Sequence, residues 1–308
     1  MPQNARNIAS KKALQKTKGK GGRHQEVLPW WQSTWLLGGV VVVVIAVVFV
    51  FVVAQKTQQP QESGIGSKPV PAGVQAIILH PDPKVLNAVG LGSIKPSQAQ
   101  IYKVPASAHE PFLKSNGKPE FFYLGAEYCP YCAAERWSFI IALSRFGTFS
   151  NLHLMESSST DVYANTHTFT FYGSTYSSNY VSFVPVEGED RNQNPLQTPT
   201  ASQSALVQKL DYPPYVPTVQ GSSGGAIPFF SIANQYIGSG SGYLPSVLRG
   251  LNWQQIANQL KDPHSTVAQA VLGNANYLTA AICKVTHGAP SNVCDSSMIT
   301  SIQKQLPK

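Results

Sequence analysis

"PEFFYLGAEYCPYCAAERWSFIIALSRFG", residues 119–147, changes its periodicity in mid-course, and that change decides the fold. Residues 119–125, "PEFFYLG", are aromatic and aliphatic between a Pro and a Gly, the pattern of a buried strand. Residues 133–147, "AAERWSFIIALSRFG", are helix formers with an apolar stripe through Trp137, Ile140, Ile141 and Leu143, and Gly147 is placed to stop the helix. "LHLMES", residues 152–157, reads as a second strand. Strand, turn, helix and strand form an α/β unit with a right-handed parallel crossover expected.

The turn carries Cys129 and Cys132 around Pro130 and Tyr131. A sulfur at a helix start faces unpaired backbone N–H groups and the positive end of the helix dipole, which favour its thiolate. The second sulfur lies one turn along, within reach of a disulfide. Pro is tolerated there because its missing N–H would have had no helical partner. The spacing suits thiol–disulfide exchange, in which one sulfur attacks and the other resolves. Two other readings remain open. Zinc would need about four ligands, and only Cys283 and Cys294 are available as further thiolates, with ten residues between them; His109, His153 and His167 fall at no recognisable ligand interval. A purely structural disulfide in so tight a loop would remove little unfolded-state entropy. No metal and no cofactor is expected.

Outward from this unit, the N-terminal end has its own logic. Residues 1–34 hold +6 of the formal +8 charge, with Glu26 as their one acidic residue. The remaining chain is nearly neutral, so the basic balance gives no reason to expect nucleic acid. Residues 35–54, "WLLGGVVVVVIAVVFVFVVA", carry no formal charge. As a helix they would span roughly 30 Å, the hydrocarbon thickness of a bilayer. Trp30, Trp31 and Trp35 lie on its basic side in sequence, where indole rings would favour the headgroup level. A cleaved signal peptide is the competing reading, but its apolar region would be shorter and followed by small residues. The expectation is a cytoplasmic tail at 1–34, a single transmembrane helix at 35–54, a flexible Gln/Gly/Ser/Pro-rich linker at 55–73 and an extracytoplasmic domain at 74–308.

Outside the membrane, Cys283 and Cys294 are expected as a structural disulfide closing the "KVTHGAPSNV" loop; a second redox pair is the alternative. Among the remaining segments, "VQAIILH" (74–80) reads as a short strand. "HTFTFYG" and "NYVSFVPV" read as exposed strands, and "TASQSALVQKL" as a helix with a Ser or Thr cap. "GGAIPFFSIANQYIG" gives a strand turning at Asn234, and "LPSVLRGLNWQQIANQL" a closing helix. The aromatic, Ser-rich "TFTFYGSTYSSNY" is either a partner surface or a strand pair. "GSSGG" (221–225) precedes a strand rather than joining a strand to a helix, so it is a poor phosphate loop.

"FFYLGAEYCPYC" together with "AIPFF" and a terminal helix resembles the thioredoxin superfamily over residues 118–262. The resemblance implies an α/β, thioredoxin-like fold with a large insertion at 161–220 and a C-terminal extension at 263–308, preceded by the one transmembrane helix. It implies Cys129 as nucleophile, Cys132 as resolving thiol and Pro228 as the cis-proline beside them. Ile227 would then offer its backbone to a substrate strand. Tyr128 and Tyr131 would line a shallow substrate surface, whereas Trp137 is better placed in the core. Tyr123 stands where that family carries a buried Asp, so Glu127 or another group would have to move the proton of Cys132. Glu127 and Glu135 either raise the cysteine pKa by like-charge repulsion or form a solvated face. The whole arrangement, with one anchor and a C-terminal cysteine pair, is also similar to the membrane-protein family called domain of unknown function 929. The function implied is a membrane-anchored, extracytoplasmic thiol–disulfide oxidoreductase. Its partners would be exported proteins with thiols or disulfides and a membrane redox partner. The alternative is a thioredoxin-like binding or assembly module of the cell envelope whose disulfides do not turn over.

Overall fold

The computed structural model describes residues 66–97, 100–217 and 225–308. The basic tail, the apolar run at 35–54 and the linker as far as residue 65 lie outside the described residues, as does most of "GSSGG". Among the described residues no helix is long and apolar enough to cross a membrane.

Two short helices come first, α1 (Ala72–Leu79) and α2 (Pro83–Val89). Strands β1 (Ile101–Lys103) and β2 (Lys114–Ser115) lead to β3 (Lys118–Gly125) and helix α3 (Pro130–Ser144). Five strands follow: β4 (Gly147–Ser150), β5 (His153–Glu156), β6 (His167–Thr170), β7 (Thr175–Ser178) and β8 (Ser182–Glu187). Helix α4 (Ala201–Leu210) precedes the hairpin β9 (Phe229–Ile232) and β10 (Tyr236–Ser239). Four helices complete the order, α5 (Trp253–Gln259), α6 (Thr266–Val285), α7 (Ser291–Cys294) and α8 (Ser297–Gln303).

The fold is α/β, with β3 at the centre of a six-stranded sheet. On one side β3 pairs antiparallel with β9, which continues through β10 to β1. On the other it pairs parallel with β8, from Glu120↔Ser182 to Gly125↔Glu187, while β2 covers its first residues. Alternation along β3 divides the core in two. Phe121 and Tyr123 face α3, where Phe139, Phe230 and the inner side of α6 pack. Phe122 points the other way, toward Phe229, Val186 and Leu210 of α4. Each such side chain removed from water stabilises the fold by roughly 1.5–3 kcal/mol.

Local chemistry explains most helix ends. Thr200 caps α4 in a capping box with Gln203, and Asn252 does the same for α5 with Gln255. Between β9 and β10, Ala233 and Asn234 both have positive φ, and the Gln235 N–H closes the turn on Ile232 O at 3.0 Å. Two positive φ values in succession suit the twist of the flanking strands, and the register, with Ile232 opposite Tyr236, leaves Gln235 as one extra residue in the loop.

Several expectations need correction. "VQAIILH" is helical, within α1: Val74 and Ile78, four residues apart, are fully buried toward α3 and α5. The parallel partner of β3 is β8, not "LHLMES"; the latter is β5, paired antiparallel with β6. The strands in 161–195 expected to be exposed are largely buried, because β6 lies on α3 and β8 is part of the main sheet. Helix α3 stops at Ser144, before Gly147, and Gly147 belongs to β4. A Cβ at Gly147 would come 2.3 Å from the carbonyl oxygen of Ser177, so the β4–β7 pairing needs glycine there. Within 263–308, α6 is a core element: nearly its whole length is buried against α3, α2 and α8. Cys283 and Cys294 are joined by a disulfide that ties the end of α6 to α7, with Cα atoms 5.5 Å apart.

Candidate functional site

Cys129 is the N-cap of α3, with extended backbone (φ −74°, ψ 121°) and Pro130 in the first turn. Its sulfur accepts the Cys132 backbone N–H at 3.3 Å, so the capping atom is the thiol itself. The same sulfur donates to the carbonyl oxygen of Ile227 at 3.6 Å. The Ile227–Pro228 peptide is cis. Residues 98 positions apart in the chain therefore meet over the first sulfur. Ala126, Cys129 and Cys132 form a small apolar cluster with Tyr128, Tyr131 and Ile227 packed against it. Both cysteines are free and buried, Cys129 at 5% exposure and Cys132 at 0%.

The two sulfurs are driven in opposite directions. The hydrogen bond from Cys132 is the main influence lowering the Cys129 thiol, supported by the backbone N–H groups of Cys132 and Tyr131 and the charge of Arg136, against burial. Burial, followed by the hydrogen bond to Cys129, pushes the Cys132 thiol well above its ordinary value. A lowered first thiol and a raised second one divide the pair into a readier nucleophile and a sulfur that holds its proton.

Beneath Cys132 lies a charged network that the local sequence patterns left unassigned. Arg136, four residues on along α3, donates through Nε and Nη2 to both carboxylate oxygens of Glu187, at 2.9 and 2.7 Å. Both side chains are completely buried. Nη2 also donates to the Ala126 carbonyl at 2.8 Å, whereas Nη1 has no partner among the described residues. The Tyr123 hydroxyl donates to Glu187 at 3.4 Å. The one available signal was a lone arginine amid the apolar residues of 133–143; its partner is 51 positions away, too far for a local pattern.

The expected surface residues divide. Tyr128 and Tyr131 are half-buried beside Cys129. Tyr131 meets the Tyr163 ring edge-on at 5.9 Å, and the Arg249 guanidinium lies 5.3 Å over Tyr163, extending this aromatic face. Neither Tyr163 nor Arg249 carried a sequence signal. Trp137 is in the core, fully buried, with Nε1 donating to His167 O at 2.9 Å. The solvated-face reading of Glu127 and Glu135 is overturned, because both are buried. Burial lifts each carboxyl to about 7. Glu127 accepts from Thr170, whereas Glu135 points to α6 and accepts from Asn274 Nδ2 at 2.7 Å and the Gly242 N–H at 2.9 Å. Asp211 holds the approach to the cis-proline: it accepts from the Ala226 N–H at 2.9 Å, and burial raises it to about 6. Among the described residues no three His, Cys, Asp or Glu side chains gather to hold a metal, and Cys283 and Cys294 are committed to each other.

No curated protein matches the chain. No solved structure matches it either. Residues 105–284, more than half of the chain, match the family model described as Domain of unknown function (DUF929), and this span includes both free cysteines, the Arg136–Glu187 pair and Pro228. The chain therefore belongs to the DUF929 family.

Proposed function

We propose that this protein is a thiol–disulfide oxidoreductase with a thioredoxin-like core, held outside a membrane by residues 35–54 and acting on thiols and disulfides of exported proteins. Cys129 attacks and Cys132 resolves. The observation that carries the reading is the environment of Cys129: its sulfur caps a helix, accepts the Cys132 N–H at 3.3 Å and touches the backbone carbonyl before a cis-proline. A structural staple would need none of these contacts. The order of the sheet around β3 supports a thioredoxin-like core, with a parallel partner on one side and an antiparallel hairpin, entered through Pro228, on the other. Pro228, Ile227, Tyr128 and Tyr131 then form the contact face for an extended substrate.

The deciding experiment is a redox titration of the full chain in glutathione buffers, with the Cys129 and Cys132 peptides resolved by mass spectrometry. A reversible transition between about −120 and −200 mV, the range of oxidants and isomerases, is expected. A pair reduced only well below about −300 mV would identify a structural disulfide instead and favour the binding-module alternative. Alkylating reagents that do not cross membranes test the topology: they should reach Cys129 in intact, reduced cells, and failure to do so until lysis would overturn the outward orientation.

A further inference from the structure

Tyr123 is buried on every side, its ring held edge-on by Phe139 at 5.6 Å and Phe171 at 5.3 Å. Packing of that kind is supplied by the ring, and phenylalanine would do as well. The hydroxyl needs another reason, because a buried polar group costs free energy unless it is well paired. It reaches Glu187 at 3.4 Å, long for an O–H donor to a carboxylate, where about 2.5–2.7 Å is usual. The oxygen has a second neighbour. A Cβ on Gly125 would lie 2.0 Å from the Tyr123 oxygen and 3.1 Å from Cys132 Sγ, so hydroxyl and sulfur share the space that only glycine leaves open. Glu187 is the residue paired with Gly125 in the parallel register, which sets its carboxylate at the same level.

We propose that the Tyr123 hydroxyl is the hydrogen-bond donor that turns from Glu187 to Cys132 Sγ when negative charge gathers on that sulfur, with Glu187 and Arg136 as positioning residues. This inference rests on the redox function proposed above. The charges are arranged for it. Arg136 is paired with Glu187, its charge still favours a thiolate on either cysteine, and Tyr123 adds a neutral, steerable donor beside them. The titratable and charged groups facing Tyr123 are Cys129, Cys132 and Arg136 from the α3 side and Glu187 from β8. Burial, the largest influence on Tyr123, raises it well above the ordinary phenol value, which keeps the proton on its oxygen and makes it a donor rather than a base.

In the resolving step a substrate sulfur is already bonded to Cys129. Cys132 Sγ attacks Cys129 Sγ, the Cys129–Cys132 bond forms and the Cys129–substrate bond breaks. Both electrons of the broken bond leave with the substrate sulfur, which takes up the proton that Cys132 gave up. The dithiol is oxidised, the substrate disulfide is reduced, and Tyr123 keeps its own proton throughout. The oxidising direction is the same step reversed.

The test is stopped-flow reaction of the reduced full chain with substoichiometric 5,5′-dithiobis(2-nitrobenzoic acid), followed by absorbance. The first nitrothiobenzoate released reports attack by Cys129, and the second reports resolution by Cys132. In Tyr123→Phe the first phase should stay within about twofold, while the second slows about tenfold and its midpoint rises by about one on the pH scale, the size of one hydrogen bond to a charged sulfur. In Glu187→Gln the Arg136 charge is left uncompensated, so the midpoint should fall instead. A role confined to packing would move the melting temperature and leave both midpoints where they are, and that result overturns the inference. If Tyr123→Phe lacks a cooperative melt, 3,5-difluorotyrosine at this position keeps the ring and sharpens the donor. The midpoint must then drop, and an unchanged one refutes the proposal. Absence of any first phase in the unaltered protein would sink the redox function itself, whereas a normal first phase with a second phase indifferent to Tyr123 sinks only this inference.

Discussion

Replacing Glu135 by Gln should flatten the dependence of stability on pH. The carboxyl is fully enclosed between α3 and α6, and burial raises it from 4.5 to about 7 despite hydrogen bonds from Gly242 and Asn274. A folded-state value above the unfolded one means that the native protein binds the extra proton between these limits. Its stabilising contribution is therefore complete below pH 4.5 and is lost as pH rises through about 7. Each tenfold difference in proton affinity between the folded and unfolded chain corresponds to about 1.4 kcal/mol, so the single group should withdraw about 2.5 kcal/mol between pH 5 and pH 8. Glutamine keeps the volume and removes the charge. Its carbonyl can take the Gly242 N–H, and its amide can pair with Asn274 once that side chain turns its own oxygen inward. Urea unfolding of both proteins at pH 5, 6.5 and 8 measures the difference, provided the m-values agree. Glu135→Gln should gain stability relative to the parent by about 2.5 kcal/mol on going from pH 5 to pH 8. A difference that is the same at all three pH values would show that the carboxyl does not titrate in this range and would refute the reasoning.

Other outcomes follow from the same geometry. Iodoacetamide should label Cys129 before Cys132 in the reduced chain, with a pH midpoint below that of an ordinary thiol; mass spectrometry of timed samples checks the order. Gly273→Ala should destabilise although alanine is the better helix former by about 1 kcal/mol, because the new Cβ would meet the Leu91 carbonyl oxygen at 2.2 Å. A net loss of about 1–3 kcal/mol is expected in chemical denaturation. Selective opening of Cys283–Cys294, by Cys283→Ser with Cys294→Ser, should cost about 3 kcal/mol from loop entropy, read as a lower melting temperature with the Cys129 labelling rate unchanged.

What could be read from sequence was whatever rests on neighbours in the chain. The passage from β3 through the cysteine turn into α3 shows in the shift from a strand-like to a helical pattern, and the hairpin after Pro228 in its apolar run and turn. Thr200 marks the start of α4 because a cap acts within three residues. Tertiary pairing was hidden. The apolar, β-rich 74–80 reads as a strand until α3 and α5 are present to take Val74 and Ile78. The pattern of α6 is blurred by Asn274, Asn276 and Thr279, polar residues buried because Glu135, the carbonyls of Leu86 and Gly90, and the helix's own Ala275 carbonyl satisfy them. The same holds at the candidate site. Both sulfurs were conspicuous, but the Arg136–Glu187 pair and the Tyr123 hydroxyl acquire meaning only where β3 and β8 run side by side.

The burial of the two free thiols also bears on how the chain sorts four cysteines, which admit three complete pairings. Among the described residues, those packed on Cys129 and Cys132 in their apolar cluster come from positions 126–132 or are Ile227. Arg136, Tyr123 and Glu187, which complete the surroundings, likewise precede Cys283. Cys283, by contrast, lies on α6, which packs along α3 and completes the layer behind the first pair. Cys283 and Cys294, only 11 positions apart, are joined to each other and buried at the junction of α6 and α7. Once folded, the two pairs lie in separate apolar clusters, so a scrambled crosslink would require α3 and α6 to come apart first.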